Sequence, residues 1–197
     1  MRYPNFEFKE FIVPQFSIKA GKMIRFCVEI VPKKEIKTDG YWGVKKIFIL
    51  INNYNNQKLG KKIHLCPIKL KISFLDYLKP IKIEDYLKKI FGEKSNDVER
   101  ELNIFGIKPE YTLRKMGVAH QKILSIVCGI EQNEIIAFDF YGLAPQTEID
   151  LMKYIHKKLD EGKSIIAFDN LEYKEENFDC TNIENLIISR KTAGNNV

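Results

Sequence analysis

The chain has 197 residues, of which 45% are apolar, so it can bury the core of one domain. Because we find no apolar run of ~20 residues and no signal peptide, we expect a cytoplasmic protein. Its four cysteines and three histidines are widely separated, which disfavours a disulfide framework or a metal site and favours buried, reduced thiols. The net charge of +6 and the pI near 9.0 favour an acidic partner, either nucleic acid or an anionic membrane surface.

The first third of the chain has the β-branched and aromatic composition of strands. Two segments carry this pattern, residues 6–18 (FEFKEFIVPQFSI) and residues 22–31 (KMIRFCVEIV), and Gly21 marks the turn between them. We therefore expect an N-terminal antiparallel β portion.

A lysine-rich stretch without acidic residues occupies residues 58–71. Its lysines are Lys58, Lys61, Lys62, Lys69 and Lys71, and its alternating apolar residues are Ile63, Leu65, Ile68 and Leu70. The pattern has two interpretations: a sheet edge whose lysines oppose aggregation, or a basic patch that binds nucleic acid. Aromatic residues do not alternate with these lysines, so the second interpretation is the less favoured.

Between residues 83 and 130 the apolar periodicity becomes helical. Tyr86, Leu87 and Ile90 share one stripe, and a second helix is predicted over residues 122–130. We expect a small helical subdomain at about residues 80–131.

The last third of the chain predicts a parallel α/β unit. Residues 135–138 form a continuous apolar run that ends in Asp139, which is typical of a strand buried on both faces. A helix is predicted next, with Thr147 as its N-cap and Gly162 as its C-terminal stop. Two further strands are predicted at residues 164–168 and 186–189. A strand, a helix and a strand with short connections form a crossover unit.

Residues 135–189 resemble the second half of an ABC-type ATPase. In that family a strand ends in the Walker B aspartate, and the catalytic glutamate, a GLDP-like loop, a helix and a strand ending in the switch histidine follow. Asp139 matches the aspartate and residues 142–145, GLAP, match the loop. The resemblance implies an α/β fold of the P-loop NTPase type, a mixed sheet with mostly parallel central strands, in a single domain over residues 1–197.

Weaker matches to the same family precede this half in the expected order. The signature motif falls at residues 115–119, where Gly117 is retained, and the Q-loop glutamine falls near Tyr77. Residues 40–47, GYWGVKKI, are similar to a P-loop. The P-loop positions retained there are Gly40, Gly43 and Lys46.

The departures from the family pattern fall on residues that hydrolysis requires. The glutamate expected after Asp139 is Phe140, the switch histidine position is Asn170, and the hydroxyl that would bind Mg²⁺ is Ile47. Phosphoryl transfer depends on a positioned water and on charge stabilisation, which these side chains do not supply. The resemblance therefore implies no catalytic residue. It leaves a vestigial nucleotide site at Gly40, Gly43, Lys46 and Asp139.

Three functions are compatible with this sequence. The first is a pseudo-ATPase subunit of an ABC transporter-like system that needs no cofactor. It would dock on a membrane transporter subunit at the inner face of the membrane, and the resemblance implies that the region from Tyr77 to Tyr86 is the docking surface. It could also pair as a homodimer or heterodimer with a second ABC ATPase. The second is a divergent ABC-type protein in which Lys46 and Asp139 still bind ATP and Mg²⁺ weakly. The third is a basic α/β protein that binds nucleic acid through residues 58–71.

Overall fold

A seven-stranded mixed sheet organises the chain in the computed structural model, which describes residues 2–8, 11–28, 44–58, 60–67, 79–170 and 181–190. The strands are β1 (Arg2–Tyr3), β2 (Phe6–Phe8), β3 (Phe11–Val13), β4 (Phe16–Ser17), β5 (Met23–Val28), β6 (His64–Leu65), β7 (Ile135–Asp139), β8 (Ser164–Asn170) and β9 (Ile183–Arg190). The helices are α1 (Val44–Asn56), α2 (Ile83–Phe91), α3 (Ser95–Asn103), α4 (Val118–Gln132) and α5 (Pro145–Asp160).

The strands of the large sheet lie in the order β2-β3-β9-β5-β8-β7-β6. The five strands from β9 to β6 are mutually parallel, whereas β3 pairs antiparallel with β9 and β2 pairs antiparallel with β3. A separate antiparallel pair joins β1 to β4. The predicted fold class, a mixed sheet with a parallel centre and an antiparallel N-terminal portion, is confirmed.

The strand that ends at Asp139 lies directly beside the strand that carries Asp169. β7 and β8 pair in parallel, with Asp139 opposite Phe168. The predicted crossover unit is therefore present, since α5 connects two neighbouring parallel strands. The carboxyl ends of both strands meet at the same edge of the sheet.

Apolar side chains cover both faces of the parallel strands. Because successive side chains of a strand point to opposite faces, Met23 packs with the helices α2 to α5, whereas Ile24 packs with α1 and the N-terminal aromatic residues. On the α1 side, Phe16 packs between Tyr3 and Tyr54, with ring centroids 4.8 Å and 5.5 Å away. The β1–β4 pair and α1 thus cover this face of the large sheet.

Helix α5 begins three residues earlier than predicted. Its N-cap is Ala144 and its first residue is Pro145, so the prediction of Thr147 as the N-cap was wrong. Proline is favoured at the first helical position because its ring fixes φ and its missing N–H would have no partner there. The predicted stop is present, since Gly162 has φ +89 and donates its N–H to the carbonyl oxygen of Leu159 at 2.8 Å.

The lysine-rich stretch is described only in part. Within the described residues β6 is the outermost strand on its side of the sheet, as the sheet-edge interpretation expects. Lys61 pairs with Glu134, and both side chains are well exposed. Residues 68–71 lie outside the described ranges, and so do two of the five lysines.

The described cysteines are free thiols in the core. Cys27, Cys66 and Cys128 are buried, and burial raises the pKa of Cys128 to about 12. This agrees with the predicted buried, reduced state, while Cys180 lies outside the described ranges. Among the helices of the described ranges, none has the length and apolarity needed to cross a membrane.

Candidate functional site

The carboxyl ends of β5, β7 and β8 form the edge of the sheet where open α/β folds bind their ligands. β7 ends at Asp139, and the N–H of Phe140 extends the pairing by donating to the carbonyl oxygen of Phe168 at 3.0 Å. Charged side chains from three strands and one helix gather here. Their arrangement determines what this edge can bind.

Asp139 forms a buried ion pair with Lys122, which lies near the start of α4. Both residues are 4% exposed, and the Lys122 ammonium donates to Oδ1 of Asp139. The same ammonium donates to the backbone oxygen of Tyr141 at 2.7 Å. The backbone N–H of Tyr141 also donates to Oδ1 of Asp139, at 3.1 Å. Two donors therefore already share this carboxylate oxygen.

The charges of this pair depend on each other. Burial raises the pKa of the Asp139 carboxyl, and the ammonium of Lys122 opposes the rise. Burial also lowers the pKa of Lys122, and Asp139 opposes the fall. Removing either partner would leave the other charge buried without compensation.

A second buried ion pair joins β5 to β8. Nε of Arg25 donates to Oδ2 of Asp169 at 3.0 Å, and Nη2 of Arg25 donates to the same oxygen. The two residues are 4% and 2% exposed. The guanidinium carbon of Arg25 also lies 5.8 Å from the ring centroid of Phe140.

Tyr141 connects the two ion pairs. Its backbone N–H and C=O bond to Asp139 and Lys122, as described above, and its hydroxyl donates to the backbone oxygen of Asp169 at 3.3 Å. One residue thus ties the end of β7 to the end of β8.

Phe140 occupies an apolar position between these charges. It is 3% exposed and packs edge to face on Phe138, with ring centroids 5.2 Å apart. The position where the family resemblance expects a glutamate therefore belongs to the core. No water can be polarised by this side chain, because it has no polar atom.

The residues predicted for the phosphate loop are only partly described. Gly40 and Gly43 lie outside the described residues, and α1 begins at Val44. Lys46 lies in the first turn of α1, with its Nζ 4.8 Å from the ring centroid of Phe11 on β3. Among the described residues, the cation that contacts Asp139 is Lys122.

The remaining predicted residues are spread over three elements. Gly117 is the N-cap of α4 with φ −62, and a Cβ added there would meet open space. Tyr86 lies half-buried on α2 against the core, and burial raises its pKa to about 12. Asn170 is the last residue of β8 and is paired in register with Val28. Tyr77 lies outside the described residues.

The partners of the two aspartates were not predicted from the sequence. Arg25 interrupts an apolar strand segment and Lys122 precedes the apolar run of α4, so each is a charged residue in an apolar context. Charged residues are almost never fully buried unless they are paired, so these two positions carried a usable signal.

The side chains around Asp139 do not fit a magnesium ion as they stand. Oδ1 accepts hydrogen bonds from Lys122 and Tyr141, and the position expected to supply a hydroxyl is Ile47, which is 1% exposed in the core. Mg²⁺ requires octahedral oxygen ligands and usually keeps several waters. Over the described ranges, no three histidine, cysteine, aspartate or glutamate side chains cluster as metal ligands.

Comparison with solved structures identifies the fold. A Pyrococcus furiosus protein described as an ABC transporter ATP-binding protein matches with a TM-score of 0.60 at 18% identity, over 92% of each chain. An ATP-binding subunit of an ABC transporter matches at 0.54 and 15% identity, over 91% of this chain and 82% of that one. A nucleotide-free ATP-binding cassette from an ABC transporter matches at 0.53 and 12% identity, over 85% and 79%.

No family model and no curated protein sequence matches the chain. At these identities the structural likeness shows the fold alone. The chain has the fold of an ABC transporter ATP-binding domain, as the resemblance implied.

Proposed function

We propose that this protein is a pseudo-ATPase subunit of an ABC transporter-like system, which contributes docking or regulation instead of ATP hydrolysis. The fold supports the ABC part of this proposal. The observation that carries the rest is the ion pair of Asp139 with Lys122, because the carboxylate that would hold the metal of a nucleotide is already bound by a cation of the same chain.

The side chain after Asp139 supports the loss of hydrolysis independently. Transfer of a phosphoryl group to water needs a residue that orients the water. Phe140 has no polar atom and is buried against Phe138. A nucleotide bound at this edge would therefore lack an activated water from this position.

The proposed partners are a membrane transporter subunit, a second ABC ATP-binding domain, or both. The docking region is the segment from Tyr77 to Tyr86, at the start of a helical subdomain over about residues 80–131 of the single domain. The net charge of +6 favours a position at the anionic inner face of the membrane. One side of α2, including part of Tyr86, packs on the core. Tyr86 would anchor the contact through the part of its side chain that remains accessible.

An apolar hollow beside Gly117 is a candidate contact with a second ATP-binding domain. It has a volume of about 400 Å³ and its walls include Tyr111, Met116 and His120. Tyr111 is 37% exposed and Val118 is 50% exposed. Exposed apolar side chains around a hollow are the kind of surface that partner proteins cover.

The first test is turnover. Purified protein incubated with ATP and Mg²⁺ is expected to release phosphate at the same background rate as the Asp139→Asn and Lys46→Ala variants. Phosphate release that disappears in both variants would show a working ATPase and would refute the proposal.

The second test is site-specific crosslinking in the native cell. A photoreactive amino acid is placed at Asp85 or Lys89, exposed neighbours of Tyr86 on α2, and at Asn52, an exposed control position on α1. We expect the α2 positions to crosslink a membrane transporter subunit or an ABC ATP-binding protein, and position 52 to give neither. Crosslinks from α2 to nucleic acid alone would contradict the docking role.

A further inference from the structure

Among the described residues, the carboxyl edge of the sheet carries four buried charges whose signs cancel. Arg25 and Lys122 supply two positive charges, and Asp139 and Asp169 supply two negative ones. Each of the four residues is at most 4% exposed. A buried charge is tolerated only when it is paired, so the chain compensates both aspartates without a ligand.

The surroundings of the Lys122 ammonium are those of a bound cation. Its two acceptors are a carboxylate oxygen of Asp139 and the backbone oxygen of Tyr141. Carboxylate and backbone carbonyl oxygens are also the ligands that hard divalent ions take in proteins. Glu148, in the first turn of α5, adds a further negative charge that acts on Lys122.

The position of Lys122 is fixed by helix packing. α4 lies against the sheet with an unbroken run of buried residues that begins at Lys122 and ends at Ile130. The helix therefore holds the ammonium at the end of β7. An incoming ion could displace the ammonium only if the buried lysine found another acceptor.

We propose that the Lys122 ammonium is a built-in cation that takes the place of a divalent metal ion at Asp139. The inference rests on the proposed function and deepens it, because it explains how the edge of the sheet keeps a buried carboxylate without metal or nucleotide. Removing the ammonium turns the same oxygens into a divalent cation site.

The experiment is a titration with Mn²⁺, followed through loss of the electron paramagnetic resonance signal of the free ion. Wild-type protein is expected to leave the signal unchanged, whereas Lys122→Ala is expected to bind one Mn²⁺ per chain at least tenfold more tightly. The gain is expected to vanish in Lys122→Ala/Asp139→Asn. Lys94→Ala removes the same charge from an exposed position and is expected to behave as wild type.

A second variant covers the case in which Lys122→Ala does not fold. Lys122→Gln ends one atom short of Nζ and replaces the ammonium with a neutral amide, and it is expected to show the same gain. Its thermal unfolding temperature is expected to rise with added Mn²⁺, whereas that of wild type is not.

Two results would overturn the inference. One is Mn²⁺ binding by wild type that Asp139→Asn abolishes, and the other is a folded Lys122 variant without any gain in binding. Failure of the proposed function is separate, because it would appear as ATP turnover by the wild-type protein whatever the metal titration shows.

Discussion

Arg25 on β5 and Asp169 on β8 are bonded across two parallel strands, with Nε of the arginine 3.0 Å from Oδ2 of the aspartate, although 144 residues separate them in the chain. Both side chains are buried, and Phe140 lies against the guanidinium. The ion pair therefore connects β5, an early strand in the chain, to β8, which is formed much later in the chain.

Arg25→Met is expected to lower the free energy of unfolding by about 3–5 kcal/mol, because it removes the two hydrogen bonds that the guanidinium donates to the buried Asp169 carboxylate. The double variant Arg25→Met/Asp169→Asn should lose less free energy of unfolding than the two single variants lose in sum. Urea unfolding of the four proteins measures this coupling. Arg100→Met is the control. Its ion pair with Asp97 is exposed, so the variant should lose at most about 1 kcal/mol of the free energy of unfolding. Equal losses for Arg25→Met and Arg100→Met would contradict the prediction.

Phe140→Glu restores the residue type that the family places after the Walker B aspartate, and it is expected neither to hydrolyse ATP nor to fold stably. A carboxylate at a position 3% exposed should lower the free energy of unfolding by more than about 3 kcal/mol. Phe140→Leu keeps the site apolar and should lower the free energy of unfolding by only about 1–2 kcal/mol. Chemical denaturation and phosphate release measure the two effects. A stable, hydrolysing Phe140→Glu protein would show that the site lacks only its glutamate.

Gly129→Ala tests the packing of α4 against β6. A Cβ at Gly129 would lie 2.5 Å from Sγ of Cys66, so we expect a loss of about 1–3 kcal/mol in the free energy of unfolding, despite the usual preference of helices for alanine. The loss should shrink when Cys66→Ala is combined with it. Gly117→Ala is a control for the dependence on Cys66, since its Cβ meets open space and any capping loss should be the same with and without Cys66→Ala. If Gly129→Ala costs the same with and without Cys66, the packing argument fails.

His64 is expected to make stability depend on pH below neutrality. Burial lowers the pKa of His64 from its ordinary value of 6.5, and Lys62 acts in the same direction. Because the unfolded chain then binds the proton more readily, stability is lost as the pH falls from about 6.5 through the lower pKa of the folded state. Wild type should therefore lose more stability than His64→Gln between about pH 7.5 and about pH 5, as measured by urea unfolding. Identical losses would exclude His64 as a cause.

The elements of the last third were predictable because local patterns define them. The apolar run before Asp139 and the glycine stop at Gly162 each depend on a few consecutive residues, and the structure contains both features. The start of α5 was misplaced because two local signals competed, and Pro145 at the first helical position prevailed over a cap at Thr147.

The ion pairs were not predictable, because each depends on tertiary packing. Asp139 could be identified from its motif, but its partner Lys122 lies 17 residues earlier on another element. No local pattern indicates which lysine reaches the carboxylate, because the packing of α4 on the sheet selects it.

β5 is the central strand of the seven-stranded sheet, and strands from late in the chain pair with it on both sides. Its residues pair with Ile165–Asn170 of β8 on one side and with Ile183–Ile188 of β9 on the other. During translation this early segment must therefore wait, with its backbone unpaired, until about 160 further residues have been made. Contacts of such high sequence separation slow folding, and they leave an apolar strand exposed until its partners are made.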